Sequence, residues 1–143
     1  MSNGQPRDDA VAASQRIKLG ALDIKLGIVL VEVSVDRVVA TMPVAGNTQA
    51  YGRLHGGASL ALGEFLGSWG AALWAARMGR SVVGLDINAT HVRPAHAGRV
   101  TGVATPLHLG RRVTSHSVAI SDEDGQLVST IRITNLLIDP SEQ

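Results

Sequence analysis

No cysteine occurs among the 143 residues. That absence removes disulfides, thiol nucleophiles and cysteine-ligated zinc sites together, and it is in keeping with a cytoplasmic protein. Aromatic residues are nearly as scarce, at 3% of the chain, too few to build the platforms on which single-stranded nucleic acids stack. No basic run stands out and the formal net charge is +1, so the electrostatic footprint of a nucleic-acid partner is missing. The serine-nucleophile signature Gly-x-Ser-x-Gly is absent as well. The N-terminus is polar and acidic through Asp9 and does not read as a signal peptide. The remaining composition, 45% apolar and 17% charged, excludes disorder and suits one folded domain with a real core.

The most informative segment runs from Gln49 to Ser68. A polar approach leads through His55 into the pair Gly56-Gly57, and a long apolar run follows. From Gly56 to Ala76 nearly every residue is Ala, Leu, Gly, Trp or Ser, and Glu64 is the one charge. The run is about long enough to span a bilayer, which takes roughly 20 apolar residues. The mid-run carboxylate, the several glycines and the lack of a flanking basic cluster instead predict a buried core helix and no membrane partner. A carboxylate in such surroundings is costly to ionise unless it is paired or reaches water, which marks Glu64 as a candidate functional group. The alternative is a helix carboxylate paired with an arginine of another element.

Along the chain, residues 1–22 read as a tail with a short helix over Asp9 to Leu19, and residues 23–140 as one domain. Leu26 to Val33 and Val38 to Met42 form a hairpin turning at Asp36-Arg37, and Gly46-Asn47 supplies turn chemistry in the next loop. The central helix is expected from Gly57 or Ala58 to Met78, closed by Gly79. Leu62, Leu66, Trp69 and Leu73 make its bulky stripe; Gly57, Ala61, Glu64, Ser68, Ala71 and Ala75 make a nearly bald one. Strands follow over Ser81 to Val92, Gly98 to Pro106, Arg111 to Ile120 and Gln126 to Leu137, the last two joined by the turn ending at Gly125. One long helix against five or six antiparallel strands is an α+β architecture, a curved sheet around a central helix. A helix apolar on several sides needs cover beyond its own sheet, which points to a homodimer.

The segments His55-Gly-Gly-Ala-Ser with Gly63-Glu64-Phe-Leu-Gly-Ser68, Val83 to Arg93, and Pro106-Leu-His-Leu-Gly110 together resemble the hotdog-fold acyl-CoA thioesterases. The likeness is greatest to the branch holding the Arthrobacter-type 4-hydroxybenzoyl-CoA and the 1,4-dihydroxy-2-naphthoyl-CoA thioesterases. It runs from about Leu26 to Ile138. The resemblance implies that Glu64 is the catalytic carboxylate, that Gln49 and the backbone N–H of Gly56 polarise the thioester carbonyl, and that Ser68 is the small hydroxyl one turn beyond. It implies that His55 is the histidine before the glycine pair. It also implies a site at a homodimer interface, with Gln49 and Gly56 from one subunit and Glu64 and Ser68 from the other, and a homotetramer of two dimers. Coenzyme A, part of the substrate and no separate cofactor, would be held near Gly57, His91, Arg93 and the turn Gly110-Arg111-Arg112. Val83, Gly84 and Asn88 would line the acyl pocket. In the hydroxybenzoyl enzyme the turn carries Ser and Thr where this chain has Arg111 and Arg112.

The residues support that chemistry on their own terms. Thioester hydrolysis needs a polarised carbonyl and either a nucleophile or an activated water. Glycines at a helix N-terminus expose N–H groups where the helix dipole favours developing negative charge. Ser68, at i+4 from Glu64, shares its helix face. Direct attack by Glu64 and activation of water both remain open at this level. His55 reads as a structural donor that orients the loop, with proton transfer as the alternative. His91, His96, His108 and His116 share no metal-ligand spacing. Two other functions fit parts of the pattern. A hotdog hydratase or dehydratase pairs a histidine with an acid, but the His-Phe-Pro-Gly type motif is lacking. A non-catalytic acyl-CoA sensor would carry an attached DNA-binding segment.

Overall fold

The computed structural model describes residues 19–143, so the helix expected over Asp9 to Leu19 and most of the N-terminal tail lie outside the described residues. A short helix α1 (Ala21–Leu26) is followed by β1 (Val29–Val33) and β2 (Val38–Pro43). The long helix α2 (Gly56–Ala76) comes next. Strands β3 (Ser81–His91), β4 (Arg99–Leu109), β5 (Val113–Ser121) and β6 (Leu127–Ile138) and a 3-10 turn over Pro140–Glu142 complete the chain. The strands form one antiparallel sheet in the order β1-β2-β4-β5-β6-β3. The expected α+β architecture, one long helix against a six-stranded antiparallel sheet, is the architecture observed.

The first expected strand is shorter than its sequence pattern because α1 takes its start. The Asp23 carboxylate accepts from the Gly20 N–H at 2.8 Å and so caps this helix, and Gly27, with φ of 73°, ends it in the left-handed region that glycine enters freely. Only after that reversal does the chain extend into β1. Helix α2 starts at Gly56, a residue or two earlier than expected. His55 is its N-cap, and its Nδ1 accepts from the Gly57 N–H at 2.8 Å. The last helical residue is Ala76, yet Gly79, with φ of 64°, still closes the turn, and the Arg80 N–H reaches the Ala75 carbonyl.

Packing explains the two faces of α2. Leu62 and Leu66 are fully buried and Trp69 nearly so, against Ala40, Met42, Val100, Val118 and Ile120 of the sheet. Burial of each such large apolar side chain contributes about 1.5–3 kcal/mol. A second set of small residues, Gly63, Gly67 and Gly70, lets the sheet press onto the helix backbone. A Cβ on Gly63 would sit 2.7 Å from Ile131 Cδ1, and one on Gly70 2.7 Å from His116 Nε2. The bald stripe inferred from sequence divides: Ala71 and Ala75 are buried, Ala61 and Ser68 half-buried, Gly57 and Glu64 exposed. In the single chain Glu64 therefore reaches solvent, because the sheet covers only the opposite side of the helix. No helix among the described residues is long and apolar enough to cross a membrane.

Candidate active site

Two groups of expected site residues are assembled on one chain, in different places. Gln49, Gly56, His91 and Arg93 line one cavity of about 350 Å³, together with Arg53, Ser59 and Ser129. Glu64 and Ser68 line another of about 450 Å³, walled by Ala61, Phe65, Trp69, Ala72 and Val82 and reached by Leu22 and Asp23 of α1.

In the first cavity, local hydrogen bonding prepares each donor. The Gln49 side-chain oxygen accepts from the Tyr51 N–H, which leaves the amide N–H₂ as the free end of that side chain. The loop is closed by Gln49 N–H to the Arg53 carbonyl at 2.8 Å and Gly52 N–H to the Gln49 carbonyl at 3.1 Å. Gly56, the first helical residue, lies beneath the His91 ring, where a Cβ would stand 2.8 Å from Nε2. His91 Nδ1 pairs with Ser129 Oγ at 2.7 Å, which fixes the ring at the end of β3. An unpaired helix N–H, a side-chain amide and the arginines Arg53 and Arg93 thus converge on one concavity, an arrangement suited to a polarised carbonyl beside anionic groups.

In the second cavity the apolar walls end at a carboxylate and a hydroxyl. Glu64 also borders a small recess of about 130 Å³ formed by Gly84, Leu85, Asp86 and Ile87. A bulge lies there, where the β3–β6 register slips between Gly84 and Asp86. Ser68 Oγ donates to Asn135 Oδ1 at 3.5 Å, and Asn135 is fully buried directly opposite Gly84 on β6. Bulges re-aim a strand beside functional sites, and here the glycine leaves room for the carboxylate.

The remaining expected residues are dispersed. His55 and Gly57 border a third cavity of about 360 Å³ with Leu22, Leu26, Asn47 and Ala61. His55 acts on the loop as an acceptor, where the sequence suggested a donor. Val83 and Asn88 lie on exposed positions of β3 outside these cavities, and Asn88 Nδ2 donates to Asp86 Oδ1 at 3.3 Å. Gly110, Arg111 and Arg112 form the β4–β5 turn, pinned by Trp74 Nε1 donating to the Gly110 carbonyl at 2.8 Å. The Leu137 N–H bonds the Arg112 carbonyl, whereas His91 pairs with Ser129 at the other end of β6. Eight residues of strand separate Ser129 from Leu137, about 26 Å at 3.3 Å per residue. Arg93 and the Arg111-Arg112 turn of one chain are therefore not neighbours.

Arg53, Ser59 and Ser129 were not singled out in the sequence, and neither was Asn135. Arg53 stands inside the informative segment and could have been noted there. The two strand residues face the helix only through the sheet register, for which one sequence carries no signal.

The chain was compared with known proteins. Residues 51–129 match the family described as the thioesterase superfamily. The proofreading thioesterase EntH of Cronobacter sakazakii is 41% identical over 133 residues, covering 92% of this chain and 96% of the relative. The crystal structure of a thioesterase of Haemophilus influenzae superposes with a TM-score of 0.78 at 41% identity, covering 83% of each chain. That of a mutant thioesterase of Pseudomonas aeruginosa gives 0.81 at 34% identity, covering 95% and 96%. With this match over most of the described fold, the chain belongs to the thioesterase superfamily and is a hotdog-fold thioester hydrolase.

Proposed function

We propose that the protein hydrolyses the thioester of a small aroyl- or acyl-CoA, with a hydroxyaroyl-CoA such as 4-hydroxybenzoyl- or 1,4-dihydroxy-2-naphthoyl-CoA as its preferred class, in the cytoplasm and as a homodimer whose sites span the interface. The observation that carries this reading is the separation of donors from carboxylate. Gly56 and Glu64 are eight residues apart on one helix, about 12 Å at 1.5 Å per residue. A reacting carbonyl must lie about 3 Å from both its donors and its attacking group. Two copies solve this, with the Gln49–Gly56 cavity of one facing the Glu64–Ser68 cavity of the other. The edge strand β3, eleven residues long with Val83 and Leu85 exposed, offers a free ladder for such a contact. Two dimers then make the tetramer that the resemblance implies.

In this arrangement the thioester oxygen accepts from Gln49 Nε2 and the Gly56 N–H as negative charge develops on it. By one route Glu64 takes a proton from water while the water oxygen bonds to the carbonyl carbon. The C–S bond then breaks, and the thiolate of coenzyme A recovers the proton. By the other, a Glu64 oxygen attacks the carbon, thiolate leaves, and water cleaves the resulting anhydride. Label from ¹⁸O-water on the Glu64 carboxylate after a single turnover marks the second route. Arg93 and Arg53 hold coenzyme A phosphates beside the donor cavity, and the Arg111-Arg112 turn approaches them only from another copy. The apolar wall of Ala61, Phe65, Trp69 and Ala72 suits a flat acyl group.

The test is thiol release across aroyl-, phenylacetyl- and straight-chain acyl-CoAs, comparing wild type with Glu64→Ala. Turnover fastest on aroyl thioesters and lost in the folded mutant supports the proposal. Binding of CoA thioesters without thiol release overturns it in favour of a sensor.

A further inference from the structure

We infer that Asn135 is a positioning residue of the active site, acting through Ser68 to present the serine oxygen as a hydrogen-bond acceptor toward the attacking water. The inference rests on the reading of Glu64 and Ser68 as the hydrolytic pair.

Asn135 lies on β6, an interior strand of the sheet, with none of its surface exposed. A carboxamide in that place is expensive unless its polar atoms are satisfied. Its oxygen is engaged by Ser68 Oγ at 3.5 Å, while its Nδ2 has no partner among the described residues. Directly opposite on β5 stands Thr114, likewise fully buried, whose Oγ1 is also without a partner among the described residues. The contact with Ser68 places the amide with its nitrogen turned away from that serine. That orientation leaves Oδ1 facing the helix. On its other side Asn135 opposes Gly84. A Cβ at Gly84 would stand 3.0 Å from Glu64 Oε1 and 4.0 Å from Asn135 Oδ1, so both oxygens border the same glycine.

A serine hydroxyl carries one proton and two lone pairs. With the proton committed to Asn135 Oδ1, only lone pairs remain for the cavity. A water between Glu64 and Ser68 can then donate one O–H to each, which turns its own lone pair toward the carbonyl carbon. Without Asn135 the hydroxyl rotates freely and donates to that water or to Glu64, and the productive orientation becomes one of several. The role belongs to the route in which Glu64 takes the proton of the attacking water; in the anhydride route Glu64 is acylated and does not hold that water. The bond is long in the resting chain, as hydrogen bonds at such sites often are before substrate binds.

A double-mutant cycle tests this, with Asn135→Leu, Ser68→Ala and the pair assayed on the best aroyl-CoA of the wild type. Each single change is expected to lower kcat about tenfold with KM nearly unchanged, and the pair to lose no more than either alone. Asn135→Thr, which keeps an acceptor oxygen and serves if the leucine variant does not fold, should recover most of kcat. Multiplied losses in the double variant, a change carried by KM, an unaffected Asn135→Leu, or an Asn135→Thr as slow as the Ser68→Ala enzyme would each overturn the inference. Glu64→Gln in the same assay reports on the underlying reading: full turnover there removes Glu64 from the chemistry, whatever the cycle returns.

Discussion

The Glu64 carboxylate and Gly84 meet across the seam between α2 and β3, with Oε1 3.0 Å from the place a Cβ on that glycine would occupy. Gly84 has ordinary backbone angles, so alanine is tolerated by the backbone there and acts only on its neighbour. Gly84→Ala should therefore leave the fold intact and push the carboxylate from its place. We expect kcat to fall about tenfold while the melting temperature moves little, because displacing the end of a glutamate side chain costs the fold little, whereas a carboxylate proposed to act on the thioester must keep its place. Steady-state kinetics beside a thermal melt measure both; unchanged kcat would separate Gly84 from the site.

A site shared between copies has a signature that no single chain can imitate. Gln49→Ala and Glu64→Ala homodimers should each be inactive, the first for want of a carbonyl donor and the second for want of its carboxylate. Mixed and allowed to exchange subunits, they form heterodimers in which one of the two sites is intact. Activity should return to about a quarter of wild type for random exchange within a symmetric dimer. Failure to recover any activity, with exchange verified by mass spectrometry, would place all the groups on one chain.

Gly56 and His91 are interlocked. A methyl at Gly56 would stand 2.8 Å from His91 Nε2, and the ring cannot turn without breaking its 2.7 Å contact to Ser129. Gly56→Ala should lose both stability and kcat/KM, since the ring and the first turn of α2 must part. Adding His91→Ala should return much of the melting temperature by making room for the methyl. Equal melting temperatures for the single and double variants would show that the helix had moved instead.

Burial holds the His116 imidazole below its ordinary value of 6.5, and neither ring nitrogen has a partner among the described residues. The unfolded chain protonates that side chain more readily than the folded one does. Stability is therefore full above about pH 6.5 and falls as pH drops from there toward the lower folded value. Melting temperature should decline as pH drops below about 6.5, and the decline should shrink in His116→Gln, which keeps polarity and cannot charge. An equal decline in both proteins would assign the acid sensitivity to other groups.

Much of the fold is legible along the chain. The apolar run from Gly56 to Ala76, bounded by His55-Gly56-Gly57 and Gly79, marks the helix, and the turn at Asp122 to Gly125 marks the last hairpin, because caps and turns act over three or four residues. The stretch before Val29 is not legible in the same way. The alternation over Leu26 to Val33 reads as a strand from its first residue, and only the Gly20–Asp23 cap and the reversal at Gly27 settle a helical turn ending at Leu26. Likewise the stripe of Gly63, Gly67 and Gly70 has no bulk to reveal it, and its meaning lies in the side chains of Ile131, Ile133 and His116 that press against it.

By itself the sequence determined the class of fold, the central helix and the residue types of the candidate site, since each depends on local periodicity or on short motifs. Tertiary structure decided which of those residues share a cavity. The strand register sets Asn135 between Thr114 and Gly84, and the β3–β6 pairing sets His91 beside Ser129 and over Gly56. Such distances are fixed by pairing between segments far apart in the chain, and the order of residues along any one of them does not contain it.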